Sequence, residues 1–145
     1  MNWKNEAMEK LRRYHVMRQA AQNLPQEIHM LEQDALAIRS ARTDGTPVKG
    51  GGNNREKKML DNFVMRQELQ ENLRQTNLWL DSTDRALRSL SNDERLILHR
   101  MFILPERGSL ERLQSELGVE QSTIYRKRDK ALERFTLALY GQLES

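Results

Sequence analysis

The chain contains no cysteine, so it has neither a disulfide framework nor a thiolate metal site. No apolar run approaches the roughly 20 residues that a membrane-spanning helix needs. The opening Met-Asn-Trp-Lys and the amphipathic pattern after it predict no signal peptide. Hydrophobic residues make up only 37% of the 145 residues and charged residues 31%, which is typical of long exposed helices with a lean core. These features predict a cytoplasmic protein.

Patterns for catalysis and metal binding are also missing. The histidines His15, His29 and His99 are scattered, and none has another histidine three or four residues away. No nucleophile elbow occurs. The stretch from Gly45 to Gly51 is a poor phosphate-binding loop, because its lysine does not follow the second glycine and no Ser or Thr comes next. We therefore predict no enzyme activity, no catalytic residue, no cofactor and no metal.

The stretch from Leu90 to Phe135 contains the most informative pattern. Ser109 is predicted to cap a short helix, and Gly118 to end it, because glycine adopts the left-handed conformation without steric cost. A second helix is predicted to begin near Glu120 or Gln121. The apolar stripe of the first helix has helical spacing and consists of Leu110, Leu113 and Leu117.

The second helix has two faces, and the pair of helices indicates a helix-turn-helix. Arg128 falls towards the apolar side, where its stem can pack while its charged head reaches solvent. The predicted buried face consists of Ile124, Ala131, Leu132 and Phe135. The opposite face carries Ser122, Tyr125, Arg126, Asp129 and Lys130.

A basic helix of this kind suits duplex DNA. A recognition helix enters the major groove with its N-terminal residues at the base edges. Arginine can grip guanine with two hydrogen bonds, and glutamine can grip adenine in the same way. The predicted DNA-binding residues are Gln121, Ser122, Thr123, Tyr125, Arg126, Lys127, Lys130 and Arg134. The pattern alone also fits an ordinary helical hairpin with a charged, solvated face.

Bulk charge does not argue for a nucleic-acid partner. The whole chain carries a net charge of only +3, and residues 90–145 contain equal numbers of basic and acidic side chains. The local basic cluster between residues 126 and 134 is the exception. Because non-specific DNA affinity scales with the number of phosphates neutralised, we expect that affinity to be modest.

A further helix is predicted to begin at Leu90-Ser91, where Ser91 and Glu94 have the spacing of a capping box. Its apolar residues are expected to cover the helix-turn-helix and complete a three-helix core. They are Leu96, Ile97, Met101 and Phe102.

These residues carry a resemblance to a known family. The motifs Leu90-Ser91-x-x-Glu94-Arg95, Met101-Phe102 and Leu117-Gly118-Val119-x-x-x-Thr123-Ile124 resemble the fourth region of bacterial sigma factors. That region binds a promoter element and touches RNA polymerase. The whole chain is similar to phage-encoded regulators of the ArpU/RinA type, which join a helical N-terminal part to a sigma-like helix-turn-helix. The pattern departs from helix-turn-helix norms at Leu113, where alanine is common, and at Glu120, where a capping serine is usual.

The segment between the predicted helices supports the same resemblance. Ile38-Arg39-Ser40-x-Arg42-x-Asp44-x-x-Pro47-Val48, followed by Glu56 and Asn62, is similar to what that family carries there. A glycine-rich loop is predicted over residues 43–54. The domains predicted are residues 1–89, a helical oligomerisation or partner region, and residues 90–145, a helix-turn-helix DNA-binding domain.

Two long amphipathic segments flank that loop. Pro25 is predicted to kink the first or to begin a new helix. The two segments could fold back on each other, or the first could pair with a second chain, and periodicity leaves both open. The heptad positions of the first segment are Trp3, Ala7, Tyr14, Met17, Ala21, Leu24, Ile28, Leu31, Ala35 and Ile38. The stripe of the second, over residues 55–89, is Met59, Phe63, Leu69, Leu73, Leu80 and Leu87.

The predicted fold is all-α, with a long coiled-coil-like N-terminal helical hairpin followed by a three-helix unit like the fourth region of sigma factors. The predicted function is a sequence-specific DNA-binding transcription regulator. The resemblance implies a phage or prophage late-gene activator that acts with host RNA polymerase in the cytoplasm of a bacterial host cell. We expect a dimer or tetramer. The alternatives are a protein like a phage DNA-packaging small subunit, and a coiled-coil protein that sequesters a transcription factor.

Overall fold

The computed structural model describes residues 2–41 and 51–143, and every regular element in that part of the chain is helical. The predicted all-α class is therefore confirmed. Across the same ranges, no helix combines the length and apolar character that crossing a bilayer requires. A π-helical turn, His99–Ile103, directly follows the third α-helix. The α-helices are α1 (Trp3–Ser40), α2 (Gly51–Arg88), α3 (Asn92–Leu98), α4 (Ser109–Leu117) and α5 (Gln121–Tyr140).

The two long helices are more continuous than expected. Pro25 lies inside α1, so no new helix begins there. Residues 43–50 of the predicted loop lie outside the described residues. Residues 51–54 are helical, so the prediction that the loop extends to residue 54 is wrong. In α2, Thr83 Oγ1 donates to the Trp79 carbonyl at 2.8 Å. This bond satisfies the hydroxyl inside the helix, so it does not compete with the helical backbone.

The chain forms two compact units. The hairpin unit, Gln19–Asn77, contains the C-terminal part of α1 and most of α2. The core unit combines Met1–Arg18 with Leu78–Ser145. The core unit thus contains α3, α4 and α5 together with the first turns of α1 and the end of α2.

In the hairpin unit the two helices run antiparallel within one chain. Asn62 Nδ2 donates to the Leu31 carbonyl at 2.9 Å, and Arg55 Nη2 donates to the Ile38 carbonyl at 3.3 Å. As the residue number rises along α2, the number of the facing residue in α1 falls, so the two helices run in opposite directions. Asn62 is 8% exposed. A buried amide is tolerated here because it also accepts a bond from Arg66 Nε at 2.8 Å.

The buried place of Asn62 corrects one position of the predicted stripe. Phe63 is 50% exposed, so its assignment to the buried face of α2 is wrong. The inward positions Met59, Asn62, Leu69 and Leu73 follow each other after three, seven and four residues, which keeps them on one face of the helix. The polar Asn62 occupies one of these positions. The prediction followed apolar residues only, so it chose the neighbouring Phe63 instead.

The core unit has two apolar clusters. The smaller joins α3, α4 and α5 through the fully buried Ile97, Leu113 and Ile124. The larger lies between both ends of the chain, because Ala7 and Leu11 of α1 pack in it with residues of α5. Its remaining buried members are Ala86, Leu90, Leu98, Phe102, Ile103, Ala131, Leu132 and Phe135.

Of the two predicted N-caps, the one of α3 is confirmed and the one of α4 is wrong. The capping box of α3 is confirmed: Glu94 N donates to Ser91 Oγ at 3.2 Å, and Ser91 N donates to Glu94 Oε1 at 3.2 Å. The assignment of Ser109 as an N-cap is wrong. Gly108 caps α4, and Ser109 is the first residue of the helix. The Ser109 hydroxyl instead donates to the Glu106 carbonyl at 2.7 Å, which closes the turn before α4.

We expect Leu11→Ala to lower the free energy of unfolding by about 2–5 kcal/mol, because it leaves a cavity in the larger cluster. Leu11 is fully buried, whereas Leu36, on the same helix, is 52% exposed. Leu36→Ala is the matched control and should change stability by less than about 0.5 kcal/mol. Urea denaturation followed by circular dichroism measures both. Equal losses would contradict the assigned packing of α1.

Candidate nucleic-acid interface

The turn between α4 and α5 sets the direction of α5. Gly118 ends α4 with φ 64° and ψ 37°, the left-handed conformation predicted for it. Its N–H donates to the Gln114 carbonyl, and Val119 N donates to the same oxygen at 3.2 Å. Glu120 then occupies the N-cap of α5 without a side-chain bond, so α5 begins at Gln121 as predicted.

The underside of α5 is buried as predicted. Ile124, Ala131, Leu132 and Phe135 are each at most 1% exposed. Thr136, which the apolar pattern did not include, is also buried, and its hydroxyl donates to the Leu132 carbonyl at 2.8 Å. Because both apolar clusters hold this side, the rotation of α5 about its axis is determined, and so is the face that it turns outward.

The outward face of α5 is polar and cationic. Ser122, Arg126 and Lys130 are exposed and follow each other at four-residue spacing, which places them on one side of the helix. Arg126 Nη2 donates to Thr123 Oγ1 at 3.3 Å. In the described part of the chain, neither Arg126 nor Lys130 has a salt bridge. These two cations are therefore available to an anionic partner.

The flank of α5 that faces α3 is cationic too, but its charges are paired. Lys127 Nζ lies 3.4 Å from Asp93 Oδ2, and Arg134 Nη1 lies 3.1 Å from Glu94 Oε1. A shallow concavity of about 200 Å³ opens along this flank. Its lining residues are Ser91, Asp93, Glu94, Lys127, Lys130 and Arg134.

The other flank of α5 is held by an aromatic side chain. Tyr125 is half-buried, and the guanidinium of Arg128 lies 4.8 Å from the centre of its ring. The Tyr125 hydroxyl accepts a bond from Gln121 Nε2 at 3.0 Å. Asp129 pairs with Arg128 Nη2 at 3.0 Å and with Lys4 Nζ at 3.5 Å. Arg128 thus combines a packed stem with a paired head.

The predicted site residues consequently fall into three groups. Ser122, Thr123, Arg126 and Lys130 form the outward row, which we call the α5 ridge. Lys127 and Arg134 lie on the flank towards α3. Gln121 and Tyr125 lie on the opposite flank, bonded to each other.

The sequence did not indicate that Asp93 and Glu94 belong to this surface. They are 34 and 40 residues from their cationic partners, so no local spacing connects them. The capping-box motif placed Glu94 at the start of α3 but did not show which way α3 faces. Lys4 was missed for the same reason, since it reaches Asp129 from the opposite end of the chain.

The surface offers polar contacts to an anionic partner. It is a convex ridge beside a shallow concavity, with hydroxyls and cations that can donate to base edges or phosphates. Among the described residues, no group of three or more His, Cys, Asp or Glu side chains is placed to hold a metal ion.

None of the protein-family models, curated proteins or solved structures compared with this chain matches it.

We expect Gly118→Ala to destabilise the core unit by about 1–2 kcal/mol, because an L side chain is strained in the left-handed conformation. A Cβ at Gly118 would meet nothing within 4 Å, so a clash would not contribute. Gly118→Asn is the comparison, since asparagine tolerates this conformation better. Thermal unfolding should therefore rank glycine above asparagine and asparagine above alanine. If alanine is as stable as glycine, the turn does not depend on this conformation.

Proposed function

We propose that the protein is a sequence-specific regulator of transcription that binds duplex DNA through α5. The resemblance of the whole chain to phage-encoded regulators of the ArpU/RinA type favours a phage or prophage activator. The motifs that resemble the fourth region of sigma factors favour the host RNA polymerase as its partner. No described feature suggests a second sigma-like region, so the proposed protein assists a host sigma factor rather than replacing it.

The observation that carries the proposal is the α5 ridge. Ser122, Arg126 and Lys130 are exposed on it, while Thr123 is half-buried and accepts a bond from Arg126. Neither of the two cations has an acidic partner among the described residues. Directly beneath it, Ile124 is fully buried against Ile97 and Leu113. Because this packing fixes the rotation of α5, the helix presents its polar side in one orientation, as reading base edges requires.

The dimensions of a helix suit the proposed partner. A helix with its side chains is about 10–12 Å across, close to the roughly 12 Å width of the major groove. With the start of α5 in the groove, Arg126 lies among the residues placed at base edges, where arginine can bind guanine with two hydrogen bonds. Lys130 lies one turn further along and is suited to a phosphate.

Arg126→Ala should weaken binding to the cognate duplex by about 1–3 kcal/mol, because one bidentate base contact is lost. Gel shifts on DNA fragments from around the protein's own gene measure the change. Arg128→Ala is the matched control, since it removes the same charge from the same helix but from the flank beside Tyr125. Thermal unfolding confirms that both variants fold.

The control distinguishes base reading from bulk charge. If both variants weaken binding equally, the effect is electrostatic only, and the α5 ridge does not read sequence. If Arg126→Ala binds as well as the wild type at every salt concentration, the assigned face is wrong.

We also propose that the protein associates with itself. The hairpin unit exposes Leu60, Phe63 and Val64, which are 61%, 50% and 45% exposed. Their spacing of three and four places them on one side of α2. Exposed apolar groups that lie together are typical of association surfaces. A symmetric pair joined there would present two copies of α5 to two half-sites.

Leu60→Glu combined with Val64→Glu should convert a dimer or tetramer into a monomer, because a second copy would have to bury two carboxylates. Light scattering measures the mass. Gln70→Glu with Asn77→Asp is the control, since it adds the same charge at exposed positions of α2.

A large ring in the wild type would favour the DNA-packaging alternative. A protein that binds no DNA at low salt would favour the sequestering alternative.

A further inference from the structure

We propose that Asp93 and Glu94 act as built-in competitors of the DNA backbone, holding two cations of α5 and so limiting the non-specific, salt-dependent part of the affinity for duplex DNA. This inference rests on the proposed function. It assigns Asp93 and Glu94 a role in limiting non-specific binding, which neither their sequence positions nor the resemblance gives them.

The geometry places each carboxylate where a phosphate would otherwise bind. Asp93 holds Lys127 at 3.4 Å, and Glu94 holds Arg134 at 3.1 Å. Both cations line the same concavity as Lys130, which lies on the α5 ridge. A duplex that follows the ridge would bring its sugar-phosphate backbone to this flank. The carboxylates therefore compete directly for cations that would otherwise neutralise phosphates.

The two carboxylates differ in how firmly they are held. Glu94 is only 10% exposed in its side chain, and its Oε1 also accepts the N–H of Ser91 in the capping box. It cannot swing away from the surface without breaking the cap of α3. Its partner Arg134 is 54% exposed and can move. Asp93 and Lys127 are 52% and 40% exposed, so either partner of that pair can move.

The buried end of Glu94 adds to this picture. Its Oε2 is buried and has no hydrogen-bond partner in the structure. A buried carboxylate depends on its few donors, so Glu94 gains from keeping Arg134 nearby. Withdrawing Arg134 to a phosphate would leave Glu94 with the Ser91 N–H alone. The exchange is therefore opposed from within the protein.

The consequence for DNA binding follows from what phosphate contacts do. They supply the non-specific, salt-dependent part of the affinity and carry no sequence information. Restraining two such contacts weakens binding to any duplex, while the base contacts of the α5 ridge keep their full value at the cognate site. The acidic pair thus lowers the affinity for every duplex, and base contacts supply a larger share of the affinity that remains at the cognate site.

The test is a double variant, Asp93→Asn with Glu94→Gln, which removes both charges and keeps the shapes. Glutamine is accepted at the third position of a capping box, so α3 retains its cap. Binding to a short random-sequence duplex is measured across a range of salt concentrations. We expect tighter binding, with a slope of log affinity against log salt that is more negative by about 0.9 for each cation released to a phosphate.

Glu9→Gln is the matched control. Its salt dependence is compared with that of each single variant, Asp93→Asn and Glu94→Gln. It also removes one acidic charge and frees one arginine, since Glu9 pairs with Arg12 at 3.0 Å on α1. We expect the control to leave the slope unchanged. If the control steepens the slope as much as the single variants, net charge explains the effect and the inference is overturned.

Two other outcomes separate this inference from the proposed function. If the wild type binds DNA and the double variant binds with the same affinity and slope, the competition does not exist, although the proposed function stands. If neither protein binds any duplex at low salt, the proposed function fails and the inference fails with it. Binding by the double variant where the wild type shows none would support both.

Discussion

Burial of the underside of α5 is the constraint on which the rest of the structure depends. Ile124 belongs to the cluster shared with α3 and α4, while Leu132 and Phe135 belong to the cluster shared with both ends of the chain. Each cluster restrains a different stretch of the same helix, so α5 is unable to roll. The outward cations Arg126 and Lys130 consequently keep one direction. The acids of α3 meet two other cations of the same helix, Lys127 and Arg134, along one flank.

The sequence predicted the elements of this arrangement better than their mutual placement. Helical spacing, the capping box at Ser91 and the left-handed Gly118 are local signals, and the structure confirms them. Ser109 was misassigned because a serine after a turn suits both a cap and the closure of that turn. Phe63 was misassigned because the hairpin buries a polar residue, Asn62, at the adjacent inward position. A pattern of hydrophobic residues does not show that the Asn62 side chain can be buried with its hydrogen bonds made.

Placement across the chain was beyond local patterns for a physical reason. Pairs such as Lys127 with Asp93, and Lys4 with Asp129, depend on how separate helices rotate against each other. That rotation is decided by the whole packed core rather than by any window of sequence. The balance of basic and acidic residues in the C-terminal part was visible from composition. The structure adds that part of the balance is made by direct contact on the surface that α5 presents.

The larger cluster of the core unit draws Ala7 and Leu11 from the beginning of the chain and Leu132 and Phe135 from near its end. A ribosome releases the first pair long before the second exists. The apolar side of the first turns of α1 therefore stays uncovered until the residues of α5 have emerged. For an all-helical protein this is an unusually non-local closure, and it favours slower folding than a bundle of sequential neighbours achieves.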